Sequence, residues 1–503
     1  MPGARGVLPA RIAISRMVST AVLVIVTMAG CATTTRAPDP VSPVGYPVPT
    51  TATPYLPFDL PVAPEPKVFA HYMPTFPISI DDAPAASDYY STQYLTPTGE
   101  GGVHAAYGGY LRDRPLPRAP IAQEDWDRRD LQTEVDQARS VGIDGFAVDV
   151  ILPLADSDVV DRILSAASTR PGFSIMVTMD MNGPVATAQS SDAFVDDVAH
   201  YASSPAAYRL PDNRLVLSAF RAEARPVSWW QQVIAGLGHR GVQVAFFPIL
   251  LDASTHLESF APISYGLGAW GGRSPSAFSL SDTNRGAVSD LAHRSRRANV
   301  RILAPVAFQD SRPYAGIYSE AQNGETMRAS WNAAITTRAD MVEILTWNDY
   351  AENTAIAPSL QHGYRLLDLM AYDIARYKTG SPPTITRDAV FATYRKQFHT
   401  ARPQYPETEL MALVPDSSPA VDRIEVTTFS VAPATATVRI GTSVHHCTVP
   451  KGLGNCVFPL SVGAVSVDLT RDGHPVASAG GGPPVTASPM VQDLSYVAIG
   501  GRR

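Results

Sequence analysis

Eight apolar runs, each about as long as a β-strand, recur between residues 68 and 347 and constrain the fold more than any other feature. Each run is continuously apolar rather than alternating, as expected of parallel strands that are buried on both faces. Amphipathic stretches, such as residues 130–141 and 192–201, lie between the runs. The runs are residues 68–73, 145–151, 173–180, 214–222, 242–251, 263–270, 300–308 and 342–347.

This alternation of strands and helices predicts an α/β fold. Eight such units fit a (β/α)8 TIM barrel over residues 67–405, and an open doubly wound sheet is the alternative at this point. The chain has 503 residues and 45% hydrophobic content, enough for a second domain. After Pro415 the pattern changes to short β-runs separated by Gly and Pro turns. It predicts a small β-sandwich accessory domain at residues 420–503.

The first 66 residues are predicted to lie outside the folded domains. Three arginines precede an apolar stretch at residues 17–30, which is typical of an export signal and too short to span a membrane stably. Residues 28–31, Met-Ala-Gly-Cys, resemble a bacterial lipobox. Cys31 is therefore the predicted lipidation site, with a plain secretory signal as the alternative. Residues 31–66 are rich in Pro and Thr and predict an extended tether. We expect a protein anchored by lipid to the outer face of a bacterial membrane, or secreted.

The other two cysteines, Cys447 and Cys456, enclose a short loop. In an oxidising compartment this spacing favours a disulfide, which would stabilise the fold by roughly 2–3 kcal/mol through loop closure. Two free thiols are the alternative. His445 and His446 adjoin Cys447, but the sequence contains no CxxC or HExxH spacing that would indicate a metal site. The formal charge of -7 gives no indication of a nucleic-acid partner.

Polar and aromatic residues follow most of the predicted strands. In a TIM barrel the carboxyl ends of the strands carry the functional residues. Aromatic rings there can stack on sugar rings, and polar side chains can bind sugar hydroxyls. Simpler roles are open for some of them: Asp149 and Asp180 could cap helices, His71 could be a core histidine, and Trp270 could fill the barrel mouth. The candidate substrate-binding residues are His71, Tyr72, Asp149, Asp180, Asn182, Trp270, Trp347, Asn348 and Tyr350.

Two carboxylates three residues apart, Asp349 and Glu352, follow the eighth run directly. Two acids beside an aromatic residue are the minimum equipment for cleaving a glycosidic bond. One protonates the leaving oxygen, and the other activates water or attacks the sugar. We therefore predict that Asp349 and Glu352 are the catalytic pair.

Other catalytic motifs are weak or absent in the sequence. Residues 266–271 match the dinucleotide pattern GxGxxG, but Gly272 and Pro275 follow where a helix should begin, so the match is not a nucleotide site. The chain has no GxSxG elbow and no Walker A motif, which argues against an α/β-hydrolase and a P-loop ATPase.

Residues 340–353, DMVEILTWNDYAEN, resemble the signature of glycoside hydrolase family 71, the endo-α-1,3-glucanases or mutanases, where a run close to DFVEIVTWNDYGES is typical. The resemblance implies a (β/α)8 barrel that hydrolyses α-glycosidic bonds with inversion and without a metal or cofactor. It also implies that Asp349 and Glu352 are the two acids, and it favours Glu352 as the general acid. Further stretches that agree in order are residues 67–73, 142–147, 179–182, 377–380, 383–386 and 428–433.

The chain departs from the family pattern at several positions. Ala351 and Asn353 replace the usual Gly and Ser, Asp149 stands where Asn is common, and residues 107–118 are not typical of the fungal enzymes. We expect these differences to lie at the substrate face. The favoured substrate is α-1,3-glucan, and an envelope α-mannan is the alternative, because the related family 99 also keeps two acids three apart after a Trp-containing strand. A non-catalytic glycan-binding lipoprotein is the alternative of another class.

Overall fold

A closed barrel of eight parallel strands forms the centre of the protein, whose computed structural model describes residues 56–61, 65–281 and 286–501. The strands follow one another around the ring in sequence order, and β1 pairs with the last of them through Lys67 and Met341. This closure confirms the predicted barrel and rules out the open sheet. The barrel strands are β1 (Lys67–Tyr72), β2 (Gly145–Val150), β3 (Ser174–Asp180), β4 (Leu215–Phe220), β5 (Val244–Leu250), β6 (Gly266–Ala269), β7 (Arg301–Ala307) and β10 (Met341–Leu345); β8 (Asp310–Arg312) and β9 (Ile317–Ser319) lie outside it.

The helices cover the outside of the barrel with one apolar face each. In α2, Val160, Ile163, Leu164 and Ala167 are all buried, and their spacing places them on one side of the helix. Within the described ranges, no helix is long and apolar enough to cross a membrane. The helices are α1 (Trp126–Arg139), α2 (Val159–Ser168), α3 (Pro184–Thr187), α4 (Ser191–Ala202), α5 (Val227–His239), α6 (Ala253–Phe260), α7 (Ala287–Arg297), α8 (Glu325–Thr336) and α9 (Arg365–Thr379).

Large apolar side chains fill the interior of the barrel below its mouth. Phe69, Phe247 and Leu303 belong to one buried cluster there. Gly266, the first glycine of the dinucleotide-like pattern, lies in β6 against this cluster, and a Cβ atom at this position would lie 2.1 Å from the Phe247 ring. The glycine is therefore explained by packing inside the barrel.

Two four-stranded antiparallel sheets pack face to face in a C-terminal β-sandwich. One sheet has the order β16-β13-β11-β19 and the other β15-β14-β17-β18. The short β12 pairs with β9 instead. These strands are β11 (Ala389–Arg395), β12 (Ala412–Leu413), β13 (Arg423–Ser430), β14 (Ala434–Ile440), β15 (Ser443–Val449), β16 (Gly452–Pro459), β17 (Val465–Arg471), β18 (His474–Ala479) and β19 (Tyr496–Gly500).

The sandwich begins earlier in the chain than the sequence pattern indicates. Strand β11 falls within the stretch assigned to the barrel, yet it pairs with β13 on one side and β19 on the other. Cys447 on β15 and Cys456 on β16 form a disulfide with a Cα–Cα distance of 6.6 Å. The predicted disulfide is confirmed, and it joins the edge strands of the two sheets.

The end of the predicted tether packs onto the fold. Leu56 and Phe58 are buried, and the Phe58 ring lies 5.8 Å from that of Tyr372 and 6.1 Å from that of Phe429. The carbonyl of Pro57 accepts a hydrogen bond of 2.8 Å from the backbone of Thr386. Residues 56–61 thus lie where α9 meets the sandwich. The predicted export signal, Cys31 and the rest of the tether up to residue 55 lie outside the described residues.

A buried ion pair joins the barrel to the sandwich. Arg395, on β11, donates to the Glu320 carboxylate at 2.9 Å, and the two side chains are 1% and 0% exposed. Arg395 also donates to the carbonyl of Leu494 at 2.8 Å, and the Tyr496 hydroxyl donates to Glu320 at 2.6 Å. Glu320 follows β9 directly, so these contacts tie the segment between β7 and α8 to the sandwich.

Replacing Arg395 with Met should destabilise the protein by about 3–5 kcal/mol, because the Glu320 carboxylate would remain buried without its cation. Urea unfolding followed by fluorescence measures this free energy. The control is Arg439→Met, which removes an exposed ion pair with Asp468 of 2.6 Å on the sandwich and should change little. An equal free energy of unfolding for the Arg395 variant and the unmodified protein would show that the ion pair does not stabilise the fold.

Candidate active site

The loop after β10 closes on the carboxylate of Asp349. One oxygen of Asp349 accepts the backbone N–H groups of Ala351 and Glu352, both at 3.0 Å. The backbone N–H of Asp349 in turn donates to the Thr346 hydroxyl at 2.9 Å. Asn353 ends the turn with a φ of 52°, in the left-handed region that Asn tolerates better than most residues. The turn therefore fixes where both acids point.

The two acids sit in different environments. Asp349 is 7% exposed, and burial raises its pKa while the two backbone N–H groups oppose that rise. Burial also raises the pKa of Glu352, and the negative charge of Asp349 adds to it, giving a value of about 8. The hydrogen bonds thus favour the charged form of Asp349, whereas Glu352 is favoured in its protonated form near neutral pH. Such a difference separates a general base from a general acid.

Two residues on the segment after β7 contact Glu352. An Arg312 nitrogen lies 3.0 Å from the Glu352 carboxylate. The Tyr314 hydroxyl donates to the same carboxylate at 3.4 Å, and the Tyr314 side chain is 41% exposed. Asp310 pairs with the opposite edge of the Arg312 guanidinium at 2.8 Å.

A group of polar side chains, called the polar group below, lies inside the barrel mouth around His71. The Nδ1 atom of His71 lies 2.8 Å from a Glu343 oxygen, and its Nε2 atom lies 3.8 Å from Asp149. Burial alone would lower the pKa of His71, but the hydrogen bond to Glu343 and the charge of Asp149 raise it overall. Burial raises the pKa of Asp149, and the charge of Asp180 raises it further. One Asp149 oxygen, the one that lies nearest to His71 Nε2, is buried without a hydrogen-bond partner among the described residues.

Trp270 lies against this group at the barrel mouth. Its half-buried ring forms T-shaped contacts with the rings of His71 and Phe220, at centroid separations of 4.9 and 4.6 Å. The guanidinium of Arg273 lies 5.5 Å from the same ring. Asn182 lies exposed at the rim, where its backbone donates to Asp180 at 2.8 Å. The structure thus brings together five of the predicted binding residues: His71, Asp149, Asp180, Asn182 and Trp270.

The remaining four predicted binding residues are buried in contacts with other parts of the protein, and a role for them in substrate binding stays a prediction. Tyr72 and Trp347 are 1% and 0% exposed and donate to Glu134 on α1, at 2.8 and 3.1 Å. Asn348 is 0% exposed and hydrogen-bonds the backbone of Met73. Tyr350 is 1% exposed and belongs to a buried apolar cluster. Neighbouring residues of a strand point to opposite faces, so Tyr72 turns outward where His71 turns inward.

The sequence reasoning missed residues that complete the site. Arg312 and Tyr314 follow Asp310 by two and four residues, so reading further past the seventh run would have found them. Glu343 is a charged residue within a continuous apolar run, which signals a buried polar role. Arg273 has no comparable signal in the sequence.

The sequence pattern of glycosyl hydrolase family 71 matches residues 121–496, which is most of the chain. The protein belongs to glycosyl hydrolase family 71. It is therefore a glycoside hydrolase, as the motif at residues 340–353 predicts.

This family 71 hydrolase is similar to two fungal proteins. It is 24% identical over 382 residues to a mutanase of Penicillium rubens, covering 71% of this chain and 82% of the relative. It is 24% identical over 408 residues to a glucan endo-1,3-alpha-glucosidase of Schizosaccharomyces pombe, covering 75% and 90%. Among solved structures, a GH99 endo-alpha-mannosidase from Bacteroides thetaiotaomicron matches 62% of this chain and 97% of its own, with 13% identity and a TM-score of 0.46.

Trp270→Ala should raise KM for a polymeric substrate about tenfold, because a stacking ring contributes roughly 1–1.5 kcal/mol. Initial-rate kinetics on a soluble glucan measure this. Trp229→Ala is the matched control, since Trp229 is also half-buried but lies on α5 against Phe194 and Trp230. An unchanged KM in the Trp270 variant would remove that ring from the binding surface.

Proposed function

We propose that this family 71 enzyme is an exported, endo-acting hydrolase of α-1,3-glucan that works by an inverting two-carboxylate mechanism. The observation that carries the proposal is the pair of acids in one turn, Asp349 with its two N–H donors and Glu352 with its raised pKa. The names of the two fungal relatives, a mutanase and a glucan endo-1,3-alpha-glucosidase, support the substrate.

In this mechanism the two acids divide the proton transfers. Glu352 starts protonated and gives its proton to the glycosidic oxygen as the bond to the anomeric carbon breaks. Asp349 starts ionised and takes a proton from water, which attacks that carbon from the opposite face. The product then has the opposite anomeric configuration. Proton exchange with solvent returns both acids to their starting forms.

The polar group inside the barrel mouth binds the sugar hydroxyls in this proposal. Asp180, which is only partly buried, accepts from one hydroxyl, and Asp149 and His71 lie behind it. Trp270 supplies the stacking surface for a neighbouring ring. These contacts hold the scissile bond over the acid pair, and positioning of this kind is a major part of catalysis.

Asp349→Asn and Glu352→Gln should each lower the rate of hydrolysis of α-1,3-glucan by about 10²–10⁴-fold, because each removes one proton transfer. Release of reducing ends measures the rate, and NMR of the first product gives its anomeric configuration. Ser311→Ala is the control at a buried neighbour whose backbone, not its side chain, contacts Glu352.

Full activity in both carboxylate variants would refute the catalytic assignment. An α-anomer as first product would refute inversion. Activity on α-mannan with none on α-1,3-glucan would transfer the proposal to that polymer. An unmodified protein that releases no reducing ends from either polymer would instead favour a glycan-binding lipoprotein.

We also propose that lipid on Cys31 anchors the enzyme to the outer face of the cell membrane. The apolar stretch at residues 17–30 and the Met-Ala-Gly-Cys sequence that ends it support this location. In a bacterial host, the unmodified protein should fractionate with membranes and Cys31→Ser should not be lipidated. Mass spectrometry of the mature N-terminus measures this. A mature chain that begins elsewhere, without lipid, would leave a secreted enzyme.

A further inference from the structure

The Arg312 guanidinium bridges two carboxylates at the edge of the active site. On one side Asp310 receives it with two contacts, from Nε at 2.8 Å and from Nη2 at 2.5 Å. On the other side Nη1 lies 3.0 Å from Oε1 of Glu352. Asp310 is only 5% exposed. A guanidinium held along one edge by a two-point contact presents its remaining nitrogen in a fixed direction.

The backbone that carries Arg312 is fixed independently of this side chain. The Ser311 N–H donates to the carbonyl of Glu352 at 2.8 Å, and the Asn353 amide donates to the carbonyl of Ser311 at 2.7 Å. Strand β8 also pairs with β9, which pairs with β12. The side chain of Gln309, next to β8, accepts from the backbone of Tyr496 on β19 at 2.7 Å. Side chain and backbone therefore both hold Arg312 in register with the turn that carries Glu352.

We propose that Asp310 and Arg312 form a positioning arm that fixes the orientation of the Glu352 carboxyl group during proton transfer. The role rests on the proposed function, in which Glu352 is the general acid. The arm does not touch the sugar in this proposal. It acts through Glu352, by setting the direction of one carboxyl oxygen and so leaving the other to face the glycosidic oxygen.

The charges of the arm also affect the pKa of Glu352. Burial and the charges of Asp349 and Asp310 raise the pKa of Glu352, whereas Arg312 and Arg273 lower it. Tyr314, the remaining contact, has its own pKa raised by burial and by the charge of Glu352, so it stays neutral. A general acid works only while protonated, so activity of the unmodified enzyme should fall as pH rises through about 8.

Two single substitutions in the arm should move this alkaline limit in opposite directions. Arg312→Met removes a positive charge, so Glu352 holds its proton more strongly and the limit moves to higher pH. Asp310→Asn removes a negative charge and keeps the cation, so the limit moves to lower pH. Both variants lose the fixed geometry, and we expect the maximal rate of each to fall about 10- to 100-fold. Arg312→Lys keeps the charge without the two-point contact, so it should keep the limit near that of the unmodified enzyme with an intermediate rate.

The experiment is the pH dependence of kcat/KM on α-1,3-glucan for these three variants, with melting temperatures measured in parallel. Arg439→Met is the control, because it removes an arginine paired with a carboxylate far along the chain, on the sandwich. Opposite shifts support the arm even if one variant has a lower melting temperature. If Arg312→Met does not fold, Asp310→Asn and Arg312→Lys still test the proposal, because only Asp310→Asn should move the alkaline limit of kcat/KM.

An alkaline limit of kcat/KM that stays in place in the folded variants would overturn the proposal, whatever the rates, because a packing role alone predicts no shift. Limits that move in the same direction in Arg312→Met and Asp310→Asn would overturn it as well, because the two substitutions remove opposite charges. Glu352→Gln separates this failure from failure of the proposed function. If Glu352→Gln keeps full activity, the catalytic assignment fails. If Glu352→Gln is inactive while the Arg312 and Asp310 variants behave as the unmodified enzyme, only the arm fails.

Discussion

The carboxylate of Asp349, with its two backbone N–H donors, is the interaction on which the rest of the site depends. It closes the turn that aims Glu352, and its charge raises the pKa of that neighbour. Because the turn ends at Asn353, whose amide donates to the carbonyl of Ser311, the same interaction sets where β8 lies. One hydrogen-bonded acid thus determines the direction of the second acid, its affinity for a proton, and the place of its arginine partner.

The sequence predicted the barrel well because each buried parallel strand leaves a local signal, a short apolar run. The sequence signal for the acid pair was equally local, since Asp349 and Glu352 follow such a run directly. The direction of each side chain was harder to predict, because neighbouring residues of a strand point to opposite faces. An error of one residue in the strand position therefore exchanges inward and outward side chains. His71 and Tyr72 are adjacent, yet one faces the mouth and the other hydrogen-bonds Glu134 outside the barrel. Strand β11 was missed because both of its partners lie far along the chain.

Two of the departures from the family pattern, Ala351 and Asn353, are explained by contacts in the interior of the protein. Ala351 is 7% exposed and packs with Phe76 and Tyr350 in a buried cluster. Asn353 is 4% exposed and holds the turn to β8. Asp149, by contrast, lies beside His71 in the polar group inside the barrel mouth. Of these three departures, it is therefore the one that belongs to the proposed binding surface.

The hydrogen bond between Gln309 and Tyr496 joins residues that are 187 positions apart. The segment that bears Arg312 therefore takes one of its anchors from the last strand of the sandwich, β19, which pairs with β11. We expect cleavage of the chain just before β19 to loosen this segment and lower activity, although every acid of the site would remain in the chain.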